Sequence, residues 1–180
     1  MDCTYKTNRY RLPLLEIVGV TSTDLTFCVA VAYIENERDD NYVWALSHLR
    51  ALLDGCEMPR VIVTDRELAL MKAIDKVFPT SKHLLCRWHI SRNIIAKCKK
   101  LFESKEKWDK FIMSWNILVL CSNENEYMQH LQNLQMEFNT YHQAITYIME
   151  SWLIPYKEGF VTVWTDKCMH FGNLTSNRYI

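Results

Sequence analysis

Glycine and proline are scarce, at four each in 180 residues. Gly19, Gly55, Gly159 and Gly172 stand apart, with no G-x-G array among them. That excludes a doubly wound nucleotide-binding fold, which opens on a glycine-rich turn between strand and helix. Long apolar runs are missing too. Stretches such as Cys28 to Ile34 fall far short of the ~20 residues that cross a bilayer, so no membrane partner is expected. Neither sign of charge is in excess, with 21 basic and 21 acidic residues. The seven cysteines, Cys3, Cys28, Cys56, Cys86, Cys98, Cys121 and Cys168, are odd in number and irregularly spaced. With no secretory signal ahead of them, this pattern excludes a disulfide framework and points to reduced thiols in the cytosol or nucleus.

Bulk is present instead. The chain is 49% hydrophobic and 23% charged, with six Trp, nine Tyr and seven Phe. Such a composition builds a core and excludes disorder, and the length suits one domain. Charge is balanced overall but unevenly placed. Residues 16–75 hold five Lys/Arg against eleven Asp/Glu, residues 80–110 hold nine against three, and residues 120–150 hold four Glu with no Lys or Arg. One basic segment in a neutral chain can still meet a polyanion locally.

The first third reads as strands. Cys3–Thr7 is short and polar; Arg11–Thr21 and Leu25–Ile34 are rich in Val, Ile, Leu, Thr and Phe, with a turn at Ser22-Thr23-Asp24. A helix is predicted over Asn41–Asp54, capped by Asp40 or Asn41 and closed by Gly55. Arg60–Thr64 reads as a buried strand after Pro59, then a helix carries Leu70, Ile74, Val77 and Phe78, and Lys82–Arg87 gives another strand. From His89 the period is helical. Four apolar stripes follow, built on Ile90/Ile94/Cys98, Trp108/Phe111/Trp115, Tyr127/Leu131/Leu134 and Tyr141/Ile145/Ile148/Trp152. Asn123 and Glu126 have capping-box spacing. The order β-β-β-α-β-α-β followed by helices predicts an α/β protein with a ribonuclease H-like fold. Its core is expected over 1–88, a helical insertion over 89–152, and an irregular aromatic segment over 153–180.

In such a sheet, carboxylates on the first strand and at the end of the fourth come together. They can hold divalent ions ~3.5–4 Å apart that serve the attacking and leaving oxygens of a phosphodiester. Asp2 and Asp65 occupy those places. Asp65 also lies in a stretch, Thr64 to Glu67, that fits a helix capping box. Cys86 and His89 form a C-x-x-H pair at a strand-to-helix junction, but no second Cys/His pair follows at zinc-site spacing. A buried Cys beside an orienting His is the simpler reading. Arg87, Arg92, Lys97, Lys99 and Lys100, with Lys105, Lys107 and Lys110 beyond, could contact phosphates or form a solvated helix face. Trp108 and Trp115 could stack on bases, but their spacing with Phe111 and Ile112 fits a core stripe.

Four ordered blocks carry a resemblance. They are Asp2–Asn8 with Leu12–Leu15, then Val61–Glu67 through Pro79, then His83–Ile90 with Arg92-Asn93, and finally Trp152–Lys157 with Phe171–Arg178. Together they resemble the MULE (Mutator-like element) transposase domain along essentially the whole chain. The resemblance implies a ribonuclease H-like fold with a helical insertion, and an Asp-Asp-Glu triad that cuts and joins DNA with Mg²⁺ or Mn²⁺. Asp2 and Asp65 match its first two members, and Cys86 and His89 its C-x-x-H pair. Where the family places its Glu, one residue after T-x-N-R, this chain has Ile180. The expectation is therefore a catalytic domain cut at both ends, lacking its last helix and inactive alone. DNA is the expected partner, the nucleus the expected location, and an intact transposase could form homo-oligomers. The alternative is a domesticated, non-catalytic DNA-binding or regulatory protein, as in the far-red-response transcription factors of plants, which look like this family.

Overall fold

The structure is a computed structural model that describes residues 1–4, 8–21, 23 and 25–175. It divides into two compact units, one of residues 1–86 and 169–180, the other of residues 87–168.

The first unit is built on alternation. Strands β1 (Asp2–Thr4), β2 (Leu14–Val20) and β3 (Thr26–Tyr33) form an antiparallel meander in the order β1-β2-β3. Asp2 pairs with Glu16, Glu16 with Val31, and the β2–β3 register slips once between Ile17 and Val18. Period-two side chains divide the faces. Leu15 and Ile17 are buried, and they join a core with Ile34, Tyr42, Leu46, Ile62, Leu70 and Ile74. Helices α1 (Asp39–Leu52) and α2 (Leu68–Val77) supply that core from one side. Arg50 of α1 donates to the Val77 carbonyl at the end of α2. Strands β4 (Val61–Thr64) and β5 (Lys82–Leu85) pair in parallel through the α2 crossover. The Met1 amino group donates to the Val63 carbonyl at 2.7 Å, which sets the start of β1 beside β4. The other face of the meander is open, with Val31 and Tyr33 both exposed.

Some local signals resolved differently from the expectation. Helix α1 starts two residues before Asn41, and neither Asp40 nor Asn41 caps it. Arg38 holds the cap position without a side-chain bond, while Asp39 and Asp40 lie in the first turn. There their charge meets the positive end of the helix dipole, which does the same service electrostatically. Gly55 follows the helix with φ of +81°, a conformation that glycine adopts without strain. The capping pattern of Thr64–Glu67 is not used either. Glu67 itself caps α2 by accepting from the Ala69 amide at 3.2 Å, and Thr64 turns inward. Of the expected turn at Ser22-Thr23-Asp24, Thr23 alone lies among the described residues.

The second unit is helical: α3 (Arg87–Cys98), α4 (Lys105–Leu120), α5 (Glu124–Glu137) and α6 (His142–Ile148) carry the four stripes. A π-helical stretch, Met149–Leu153, leads into the short helix α7 (Ile154–Tyr156), and α8 (Thr162–Thr165) follows. The capping box at α5 forms: Asn123 accepts from the Glu126 amide at 2.8 Å, and Glu126 reaches back to the Ser122 amide at 3.2 Å. Trp108 and Trp115 are buried, so both rings belong to the core. Phe102 stacks on Tyr141 at 4.2 Å between centroids, and Trp115 on Phe160 at 6.0 Å. Such ring pairs add modestly to the burial that drives packing. Among the described residues no helix is long and apolar enough to cross a membrane.

Candidate functional site

The site is assembled where β1 begins and β4 ends. Cys3 pairs with Leu15 and lies on the buried face, so its neighbour Asp2, paired with Glu16, takes the open one. On β4, Ile62 and Thr64 face the core, and Asp65 follows one step later. The two carboxylates lie 63 positions apart in sequence. Both act electrostatically on the Met1 amino group, whose pKa burial lowers while Asp2, Cys86 and Asp65 pull it back up. Glu37 and Asp65 also act on Cys3, whose thiol burial pushes up to about 12. The Tyr42 hydroxyl beside it is raised too, chiefly by burial, then by Cys3, Glu37 and Glu67. Acidic groups therefore gather around one strand end, over a thiol and a phenol that stay neutral.

Thr64 anchors that end. It is fully buried, its hydroxyl donates to the Asp65 carbonyl at 2.7 Å, and the same oxygen lies 2.7 Å from His83 Nε2 on β5. The Cys86 amide extends the β4–β5 ladder by donating to the Thr64 carbonyl at 2.7 Å. Burial holds the His83 imidazole down at about 4, so it is neutral at ordinary pH. Neither Thr64 nor His83 stood out in the sequence as a support. The signal available was the strand period, which turns Thr64 inward once Ile62 is placed in the core.

Asp2 and Asp65 offer carboxylate oxygens, the donors that hard Mg²⁺ and Mn²⁺ prefer. Among the described residues, no three His, Cys, Asp or Glu side chains come together closely enough to hold an ion. Of the C-x-x-H pair, Cys86 is buried after β5 in the first unit, and His89 lies in the first turn of α3 in the second.

The five basic residues separate into two kinds. Arg92, Lys97, Lys99 and Lys100 are exposed along α3 and the 3-10 turn that ends it. Arg92 lies over the half-exposed ring of Trp88, 5.6 Å from its centroid. At helical spacing, Trp88, Arg92 and Lys99 make one outward stripe opposite buried Ile90, Ile94 and Cys98. Arg87 is different. Its Nε donates to the Phe160 carbonyl at 2.7 Å and its Nη2 to Thr162 Oγ1 at 2.9 Å, tying the start of α3 to the α8 segment. Burial lowers its pKa, and Asp166 partly offsets that.

Known proteins resemble this arrangement in sequence. Protein FAR1-RELATED SEQUENCE 5 of Arabidopsis thaliana is 34% identical over 101 residues, covering 56% of this chain and 13% of that protein. Protein FAR-RED IMPAIRED RESPONSE 1 of the same plant is 27% identical over 122 residues, covering 67% of this chain and 14% of that protein. A third relative, PKS-NRPS hybrid synthetase cheA of Chaetomium globosum, is 30% identical over 105 residues, or 57% of this chain and 2% of that protein. The chain therefore spans at most 14% of the length of these three relatives. The model of the MULE transposase domain matches residues 1–93. That stretch is just over half of the 180 residues and takes in Asp2, Asp65, the C-x-x-H pair and Arg92. The chain belongs to the MULE transposase domain family.

Proposed function

We propose that this chain is a DNA-engaging domain of Mutator-like transposase descent. Its first unit is a ribonuclease H-like core that holds two carboxylates of a strand-transfer site, and alone it binds DNA without cutting it. One observation supports the reading: Asp2, at the start of β1, and Asp65, just past β4, both act electrostatically on the Met1 amino group, which bonds to the Val63 carbonyl. The antiparallel meander, the parallel β4–β5 pair and the bond from Met1 to Val63 support the ribonuclease H-like order. Asp2 and Asp65 would hold Mg²⁺ or Mn²⁺, which would activate and orient a phosphodiester for attack. Two-ion chemistry asks for more ligands than this pair provides.

DNA contact falls to the stripe on α3. Arg92, Lys97, Lys99 and Lys100 present mobile cations suited to phosphates, while Arg87 has its donors committed inside the helical unit. Phosphate contacts of this kind give affinity that salt erodes and sequence hardly changes. The nucleus is the location such a partner implies, and assembly into oligomers would belong to a longer transposase.

The test is anisotropy of a fluorescent DNA duplex at rising salt, beside nicking of supercoiled plasmid in Mg²⁺ or Mn²⁺. Expected are salt-sensitive binding, no nicking, and unchanged binding in Asp65→Asn. Absence of binding at low salt refutes the DNA reading. Nicking that Asp2→Asn abolishes refutes the non-cutting part. The far-red-response relatives favour a second reading, a regulatory DNA-binding protein, in which Asp2→Asn and Asp65→Asn variants keep all biological activity.

A further inference from the structure

The helical unit carries an apolar strip that its own core does not use. Helix α4 buries Trp108, Phe111, Trp115, Leu118 and Val119, yet turns Met113, Ile117 and Leu120 outward at 59%, 45% and 60% exposure. The spacing i, i+4, i+7 puts these three on one face, over about 10 Å of helix at 1.5 Å per residue. Next to them, α5 and the tight connection into it complete a groove of about 540 Å³, with Asp109, Glu126 and His130 in its lining. Scattered exposed apolar residues need no explanation, but a contiguous rimmed strip marks an interaction surface.

Length and charge together say what fits. Asp109 and Glu106 continue the α4 stripe one and two turns before Met113, and Glu126 stands past Leu120 at the other end. The Ser122 amide and hydroxyl both donate to Glu126, at 3.2 and 3.1 Å, which keeps its carboxylate charged. Residues 120–150 add no Lys or Arg. Lys110 borders the strip without lining the groove. The site is thus apolar in the middle and anionic at both ends, two helical turns long.

We propose that this groove docks a basic amphipathic helix of a partner protein. Its apolar residues at i, i+3/i+4 and i+7 would lie on Met113, Ile117 and Leu120, and its flanking Lys or Arg would lie near Asp109 and Glu126. Helix-in-groove recognition uses that anchor spacing, and methionine adapts to the side chains it meets. The surface is separate from the α3 stripe, so it stands whether or not the chain binds DNA.

The experiment uses the full chain and two fluorescent helical peptides with the same leucine face, one flanked by lysines and one by glutamates. The lysine peptide is expected to bind saturably at one site. Met113→Glu with Ile117→Glu weakens it by about tenfold or more, and Asp109→Lys by a few fold. These positions are solvent-exposed, so helicity by circular dichroism stays unchanged; Leu120→Lys serves as a second variant should the double substitution disturb folding. Equal binding of both peptides, no saturable binding, or affinity indifferent to Leu120→Lys overturns the proposal. A dimer in ultracentrifugation that Ile117→Glu splits would assign the face to a second copy of the chain and also overturn it.

Discussion

Lowering the pH offers a measurement on the support of the candidate site. His83 Nε2 lies 2.7 Å from Thr64 Oγ1, and the Thr64 hydroxyl proton is directed at the Asp65 carbonyl. The imidazole then donates from Nε2 and must be neutral or pay for a buried charge. Burial lowers its pKa from 6.5 to about 4, with Asp75 opposing and Lys82 adding to the shift. The folded state therefore takes up the proton less readily than the unfolded chain. Stability is fully present above pH 6.5 and is lost as pH falls toward the folded value of about 4. Linkage with these two values gives a loss of about 2 kcal/mol by pH 5 and about 3 kcal/mol by pH 4.

The comparison protein is His83→Gln, whose amide can still donate to Thr64 but does not titrate. Carboxylates elsewhere contribute equally to both proteins, so the difference isolates the imidazole. Urea unfolding followed through the amide signals of Val61–Thr64 reports the first unit without averaging in the second. The imidazole proton shifts give the pKa directly. The wild type should lose stability relative to the variant across pH 6.5 to 4. An imidazole that titrates near 6.5, or a variant with the same acid sensitivity, would refute the account of Thr64 and His83.

Three further outcomes follow from the same geometry. Arg92→Ala and Lys99→Ala should each weaken DNA binding alike on all sequences and reduce the salt slope by about 0.9, read by anisotropy at several salt concentrations. Arg87→Met should instead destabilise the helical unit by about 2–3 kcal/mol in thermal unfolding while leaving the salt slope unchanged, because it removes charged donors from the Phe160 carbonyl and Thr162. Mn²⁺ should bind weakly, at roughly millimolar concentration, by electron paramagnetic resonance, with the signal change lost in Asp2→Asn or Asp65→Asn; binding indifferent to both substitutions would remove the metal reading.

Much of the architecture was legible because its signals are local. The alternation in Leu14–Val20, the apolar run Val61–Thr64 and the stripes of α3 to α6 each report a face that must be buried, and those elements formed. Reading failed where a local motif competed with tertiary packing. Thr64–Glu67 has the letters of a capping box, but burying Thr64 against His83 satisfies its hydroxyl better than a helix end in water would, and Glu67 took the cap. Asp39 and Asp40 likewise serve α1 through the dipole of its first turn and not through a cap.

Long-range partnership is the part no window of sequence contains. Arg87 and Arg92 are five positions apart on one basic helix and read alike as phosphate contacts. What separates them is a carbonyl and a hydroxyl more than seventy positions away, which take the donors of Arg87 and leave Arg92 outside over an exposed ring. The same holds for Lys157, which lies over the rings of Tyr127 and Trp164 at 5.6 and 5.1 Å. Both rings belong to the helical unit, so the contacts of this cation hold that unit together. Asp2 and Asp65 are the opposite case. They lie 63 positions apart in sequence, yet both act on the Met1 amino group, whose bond to the Val63 carbonyl sets the start of β1 beside β4. A proximity set by a backbone bond places whole strand ends side by side, whereas one held by a single side chain becomes visible when the fold brings its partner into reach.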